Sequence, residues 1–460
     1  MSLSSIHQSL LLVVCLICSQ IPHLLAIEAY RESPLRSDFF SDSSLNLTVS
    51  RLSNLNPSTN LGPVVIFPGF AATSLEQKIV MKEVEHWWCR SNKPWHSAWI
   101  ALTCFLPEVM QCWHSNFKPV CSRHHTSSSP HQNKWVCTDS QGVTTRPIGN
   151  YRFGDTTANE FLDSSFKWKT GYMYAFIEAL DRVGLKRNKQ VFSISYDWRH
   201  SLALQRSELF SRAMTIIELA FNQNEGQSVT LVAHSMGSLL MVDFLSTMTD
   251  TWKDKYLSTT YAVGPVFGGA IRSIYDILIG NTYSVPTITL EIARSLVSTW
   301  TSVATLNPRD FAFDQVLVEF ESVVGTAVFT ASNISKLYEL ADSPYGQYLS
   351  DDDFFVVTPE VSPGVELTVI GSTDIDVPDS YLISRNLDQT FSAEPKSFGK
   401  GDGTVDVRAM IEILRHWGRN QSQELSFIPI KGVDHTQYFM DLEFVEWFVS
   451  LMIARRSNKD

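Results

Sequence analysis

The chain has 460 residues, enough for one large α/β domain with insertions and too many for a single small core. Hydrophobic residues at 44% and charged residues at 18% exclude disorder as the dominant state, and a formal net charge of −11 argues against nucleic acid as the main partner. A mean hydropathy of −0.04 excludes a polytopic membrane protein.

In chain order, the first element is a processing segment. The apolar run Leu10–Cys18, followed by Pro22 and the small residues Ala26 and Ala29, reads as a cleaved signal peptide over 1–29. It places the protein in the secretory pathway, either secreted or in the lysosome or vacuole. Residues 30–60 are polar and read as an N-terminal arm. Sequons at Asn46, Asn333 and Asn420 fit a glycoprotein. The run Val64–Phe67, stopped by Pro68-Gly69, predicts a buried strand feeding a turn.

Residues 84–140 are rich in Cys and Trp and interrupt the strand/helix rhythm as an insertion. Cys89, Cys104, Cys112, Cys121 and Cys137 all lie there, an odd number. Cys121, His124, His125, His131 and Cys137 invite a zinc reading, but their spacing fits no usual finger, and a disulfide-closed loop is the better account.

The rhythm then returns. Helices are predicted over 171–184, 202–222, 238–249 and 404–417. Strands are predicted over Val191–Tyr196, Val229–Ala233, Tyr261–Val263, Leu367–Ile370 and Leu425–Ile430. This alternation predicts an α/β protein with a mostly parallel sheet covered on both faces. The core is assigned to 61–83, 141–269 and 351–455, with 270–350 as a cap that breaks the rhythm.

The sequence Ala233-His234-Ser235-Met236-Gly237 joins an apolar strand to an apolar helix, the context of a nucleophile elbow. A serine hydroxyl needs a base to take its proton and an acid to orient that base, in the chain order Ser, acid, His on this fold. Asp402, in Gly401-Asp402-Gly403-Thr404, and His435, directly after a strand, supply them. Asp374, Asp376 and Asp379 are rival acids, and His416 is a rival base placed inside a helix. The oxyanion donors are assigned to the amides of Met236 and Phe70. No metal or cofactor is required.

These motifs resemble the lecithin:cholesterol acyltransferase family, and within it the lysosomal phospholipase A members. The resemblance runs through Phe67-Pro68-Gly69, Tyr196-Asp197-Trp198-Arg199, the Ala-His-Ser-Met-Gly elbow, Trp252–Tyr256, Gly264-Pro265 with Gly268-Gly269, Gly401–Val405 and Asp434-His435, in family order. It implies an α/β-hydrolase that cleaves a fatty acyl ester of phospholipids through an acyl-enzyme, with water, an alcohol or a sterol as acceptor. It also implies a Cys89–Cys112 disulfide, with Cys104 free and Cys121–Cys137 a local addition, and a mobile lid over 270–305. By resemblance, Trp95, Trp99, Ile100, Leu102, Phe105 and Leu106 meet a phospholipid membrane or lipoprotein surface. Phe70 stands where acid-active relatives carry Asp, so an acidic optimum does not follow. Asp197-Trp198-Arg199 reads as a structural clamp. A neutral-lipid lipase or sterol-ester esterase on the same triad, and a non-catalytic lipid-binding protein, are the alternative readings.

Overall fold

The computed structural model describes residues 61–126, 129–149, 154–165, 167–282, 287–323, 325–349, 360–388 and 390–457. The signal segment, the polar arm and Asn46 lie outside the described residues, as do the side chains of His124, His125 and His131.

Six strands form the central sheet: β1 (Val64–Phe67), β2 (Val191–Ser193), β3 (Val229–His234), β4 (Leu257–Val263), β5 (Leu367–Ser372) and β6 (Leu425–Ile430). Their spatial order is β6-β5-β4-β3-β1-β2, and every neighbouring pair is parallel. The β1 sequence Val-Val-Ile-Phe has no polar position because both faces are covered. Val64 and Ile66 enter one core cluster, with Phe176, Ile177 and Leu180 of helix Tyr174–Arg182 and Phe444 and Phe448 of helix Leu442–Ser457. Val65 and Phe67 enter the other, with Leu209 and Ile216 of helix Leu202–Gln223 and Leu240 and Phe244 of helix Met236–Thr247. Each such side chain contributes about 1.5–3 kcal/mol by burial. The strand order reverses between β1 and β3, so the crevice at their C-terminal ends is the topological switch point of the sheet.

Smaller sheets stand beside this core. Leu75–Ile79 pairs antiparallel with Lys93–Trp99 and with Val143–Pro147, so the insertion is anchored by a three-stranded sheet. Between those strands run helix Pro107–Phe117, with Pro107 in its first turn, and the hairpin Pro119–Thr126/Ser129–Asp139. Disulfides join Cys89 to Cys112 and Cys121 to Cys137, leaving Cys104 free and buried.

Arg199 clamps the insertion to the core. Its guanidinium is fully buried, pairs with Asp197 (2.6 Å) and Asp139 (2.7 Å), and donates to the Phe117 carbonyl. Region 270–350 holds short helices, among them Arg272–Leu278, Leu290–Val297 and Ile334–Leu340. Its strands Val318–Ser322 and Gly325–Phe329 continue into Ile375–Arg385 and Phe391–Gly401 as one four-stranded sheet. The segment 375–401, grouped with the core on sequence, pairs with strands of region 270–350 in this sheet rather than with the central one. Its mixed burial pattern is that of a sheet covered on one face only.

Candidate active site

Strand β3 ends at His234 and helix Met236–Thr247 begins two residues later, leaving one residue to reverse the chain. That residue, Ser235, takes φ 52° and ψ −126°, a conformation costing a non-glycine residue on the order of 1–3 kcal/mol. Its amide donates to the Val263 carbonyl of β4, and the Ser238 hydroxyl donates to its carbonyl. The turn packs hard against β1: a Cβ on Gly237 would lie 2.2 Å from the Phe67 carbonyl oxygen and 2.5 Å from that of Pro68. Only glycine fits there, which is the physical reason for the last position of the motif.

Ser235, His435 and Asp402, carried by three separate loops, meet in one hydrogen-bonded series. Ser235 Oγ lies 2.9 Å from His435 Nε2, and His435 Nδ1 lies 2.7 Å from Asp402 Oδ2. Asp402 is fully buried and accepts further hydrogen bonds from the Val405 and Thr404 amides and from the Tyr438 hydroxyl. The His435 amide donates to the Asp402 carbonyl, which couples the two loops through the backbone as well. Burial alone would lower the His435 pKa. The Asp402 charge and its hydrogen bond outweigh burial and hold it above the usual 6.5.

The rival acids are engaged elsewhere. Asp374 accepts from the Gly432 amide, Asp376 pairs with Lys400, and Asp379 with Arg408. His416 lies in the last turn of helix Val407–Trp417.

Met236 is the first residue of its helix, so its amide is one of the four that a helix leaves without an internal acceptor. Phe70 lies on the loop after β1, directly against the elbow. A Cβ on Gly69 would sit 3.0 Å from Ser235 Cβ. The Phe70 ring packs edge-on to Trp198 at 5.0 Å and near Trp300 at 6.1 Å, giving this side of the crevice an aromatic wall.

Two polar side chains that sequence reasoning did not single out stand behind the serine. Tyr172 Oη lies 2.6 Å from His234 Nδ1, and His234 Nε2 lies 3.1 Å from the His435 carbonyl oxygen. Both residues are buried. Only the elbow sequence itself points to His234. Tyr172 carries no local signal, since its partners are 62 and 103 residues away.

The aromatic insertion departs from expectation in detail. Phe105 is buried against Trp113, and Trp99 packs with Phe117, Trp198 and Trp300 while its indole N–H donates to the Ala71 carbonyl. These two rings face inward because together they close the interface between insertion and core. Ile100 and Leu102 pack partly against the same core, Leu106 is half-buried, and Arg146 covers the Trp95 ring at 3.8 Å. The outward aromatic surface is instead Trp87, 90% exposed, with Trp88 beside it next to the Cys89–Cys112 disulfide.

Of the sequons, Asn420 is exposed, and the Asn333 side-chain oxygen accepts the Thr330 amide in a capping box. Cys121 and Cys137 bond to each other rather than to a metal, and no three His, Cys, Asp or Glu side chains converge as ligands among the described residues.

A profile of the lecithin:cholesterol acyltransferase family matches residues 95–352. The lysosomal phospholipase A and acyltransferase of Rattus norvegicus is 29% identical over 417 residues, spanning 88% of this chain and 94% of the rat protein. The phosphatidylcholine-sterol acyltransferase of Gallus gallus is 26% identical over 385 residues, spanning 82% and 87%. A chain in the crystal structure of the Tle4–Tli4 complex superposes with a TM-score of 0.50 at 10% identity, over 86% of this chain and 98% of that one, a likeness of fold. The profile match runs from the cysteine-rich insertion through the elbow to residue 352. Covering more than half the sequence, it shows that the chain belongs to the lecithin:cholesterol acyltransferase family.

Proposed function

We propose that the protein is a serine acyl hydrolase and O-acyltransferase that removes a fatty acyl group from a phospholipid. The observation that carries this reading is the hydrogen-bonded series Ser235–His435–Asp402, with Ser235 and His435 on the loops that follow the parallel strands β3 and β6. Ser235 Oγ attacks the ester carbonyl as His435 Nε2 takes its proton. The carbonyl oxygen becomes an oxyanion between the amides of Phe70 and Met236. Collapse breaks the ester C–O bond, and His435 returns the proton to the departing lysophospholipid oxygen. Water or an alcohol then attacks the acyl-serine by the same route, releasing a fatty acid or a new ester. Asp402 holds the imidazole with Nδ1–H toward itself and balances the imidazolium charge.

Membership of the family supports a phospholipid donor. Relatives named as phospholipase A and as sterol acyltransferase support both acceptor classes, water and hydroxylated lipids. In this reading the 84–140 insertion brings the enzyme to a phospholipid membrane or lipoprotein surface, with Trp87 and Trp88 as the outermost apolar contacts. Region 270–350 covers the acyl groove, and the signal segment directs the chain to the secretory pathway.

The test is incubation of the purified protein with phosphatidylcholine vesicles, with and without a lipophilic alcohol, beside triacylglycerol and sterol-ester emulsions. Release of fatty acid or formation of acyl-alcohol from the vesicles, absent in Ser235→Ala, is the expected result. Turnover of the neutral lipids alone would move the assignment to a neutral-lipid esterase.

A further inference from the structure

The loop that carries the Phe70 amide and the loop that carries His435 descend from β1 and from β6, at widely separated places in the sheet. A tetrahedral intermediate needs both at fixed distances from Ser235 at once. Directly behind the serine, one continuous run of hydrogen bonds joins them. The Gly69 amide donates to Tyr172 Oη at 3.3 Å, Tyr172 Oη meets His234 Nδ1 at 2.6 Å, and His234 Nε2 meets the His435 carbonyl oxygen at 3.1 Å.

The direction of this run follows from what each atom can do. A carbonyl oxygen only accepts, so His234 Nε2 carries a proton. In a neutral ring Nδ1 is then an acceptor, so the Tyr172 hydroxyl donates to it and its lone pair takes the Gly69 N–H. Each proton in the run then has one acceptor. Burial favours the neutral ring in which this holds, since it pushes the His234 imidazolium pKa far down. Tyr172, Tyr438 and Phe439 surround His234 in the core cluster on one face of the sheet, whereas Met236 belongs to the cluster on the other.

We propose that Tyr172 and His234 are positioning residues, a buried pair behind the nucleophile that holds the oxyanion loop and the base loop at one separation. The inference rests on the serine-hydrolase reading of the site. Neither side chain forms a bond with substrate, so removing their hydrogen bonds acts on the chemical step and leaves binding as it was.

The experiment uses the full-length protein with a soluble p-nitrophenyl ester of a short fatty acid, and reads kcat and KM separately. Tyr172→Phe removes the hydroxyl and keeps the ring. It is expected to lower kcat by roughly tenfold to a hundredfold, with KM changed by less than about twofold. His234→Leu is expected to match it. His234→Gln, whose carboxamide offers one acceptor and one donor, is expected to recover most of the loss, which a purely space-filling role would not produce. Wild-type kcat in Tyr172→Phe, a loss confined to KM, or equal impairment of the Gln and Leu variants would overturn the proposal. If Tyr172→Phe fails to fold, the Gln and Leu pair decides alone. Ser235→Ala retaining turnover, or a wild-type protein without any, would instead overturn the reading of the site beneath it.

Discussion

Gly237 and Phe67 approach so closely that no side chain fits between them: a Cβ on the glycine would be 2.2 Å from the Phe67 carbonyl oxygen. This contact locks the nucleophile turn to β1 and thereby to the loop bearing Phe70. Gly237→Ala must push β1 and β3 apart, so it should destabilise the fold by about 2 kcal/mol or more and lower acyl transfer further than the stability loss explains. Urea unfolding alongside an esterase assay checks both. An alanine variant of unchanged stability would show that the packing is looser than described.

Ser235 holds a backbone conformation that glycine adopts freely. Ser235→Gly should abolish activity yet raise unfolding free energy by about 1 kcal/mol, because released strain exceeds the added chain entropy. Denaturant midpoints of the Gly and Ala variants provide the comparison. The Ala variant keeps the strain and should not gain.

Asp402 and its rivals separate cleanly by substitution. Asp402→Asn removes the charge that orients His435 and should lower kcat by about 10⁴-fold. Asp376→Asn, which breaks only an exposed pair with Lys400, should leave kcat within about twofold and stability within about 1 kcal/mol.

Both histidines behind the chemistry titrate, with opposite signs. His435 must be neutral to take the serine proton, and its pKa is raised above 6.5, so kcat/KM should climb through a midpoint above 6.5 as pH rises. Its contribution to stability runs the other way: fully present below about 6.5 and lost as pH rises through the higher folded value. His234, with its pKa lowered by burial, contributes stability that is present above about 6.5 and lost as pH falls through its folded value. Melting temperatures of wild type and His435→Gln across this range test the first sign: the wild-type advantage should shrink as pH rises. An advantage that grew with pH would contradict the assigned Asp402–His435 pairing.

Arg199 is the buried clamp between insertion and core. Arg199→Met leaves Asp197 and Asp139 without their cation and should cost about 3–5 kcal/mol. Limited proteolysis should then cut first within the insertion rather than in the central sheet.

Much of the frame was legible because its signals are local. Val64–Phe67 is apolar throughout and is stopped by Pro68-Gly69, and Val229–His234 runs straight into the elbow. Asp402 and His435 stood out because each lies in a short glycine-bearing loop beside a strand or helix. Other features depend on tertiary contact. Strand Phe391–Gly401 shows no apolar run, since one face of its sheet meets solvent, so no strand is predicted there. Trp99 and Phe105 look like surface anchors in a cysteine-rich insertion, yet their rings join an inward aromatic cluster with Trp113 and Phe117, which Trp198 and Trp300 complete from distant segments. The Tyr172–His234 contact belongs to this second kind.

The most direct measurement traps the acyl-enzyme. The purified protein is quenched in acid during turnover of a phosphatidylcholine vesicle, and peptides are mapped by mass. The account predicts a fatty acyl adduct on Ser235, reduced in Asp402→Asn and missing in Ser235→Ala. Continued lipid cleavage by Ser235→Ala, or an adduct on another residue, would contradict it.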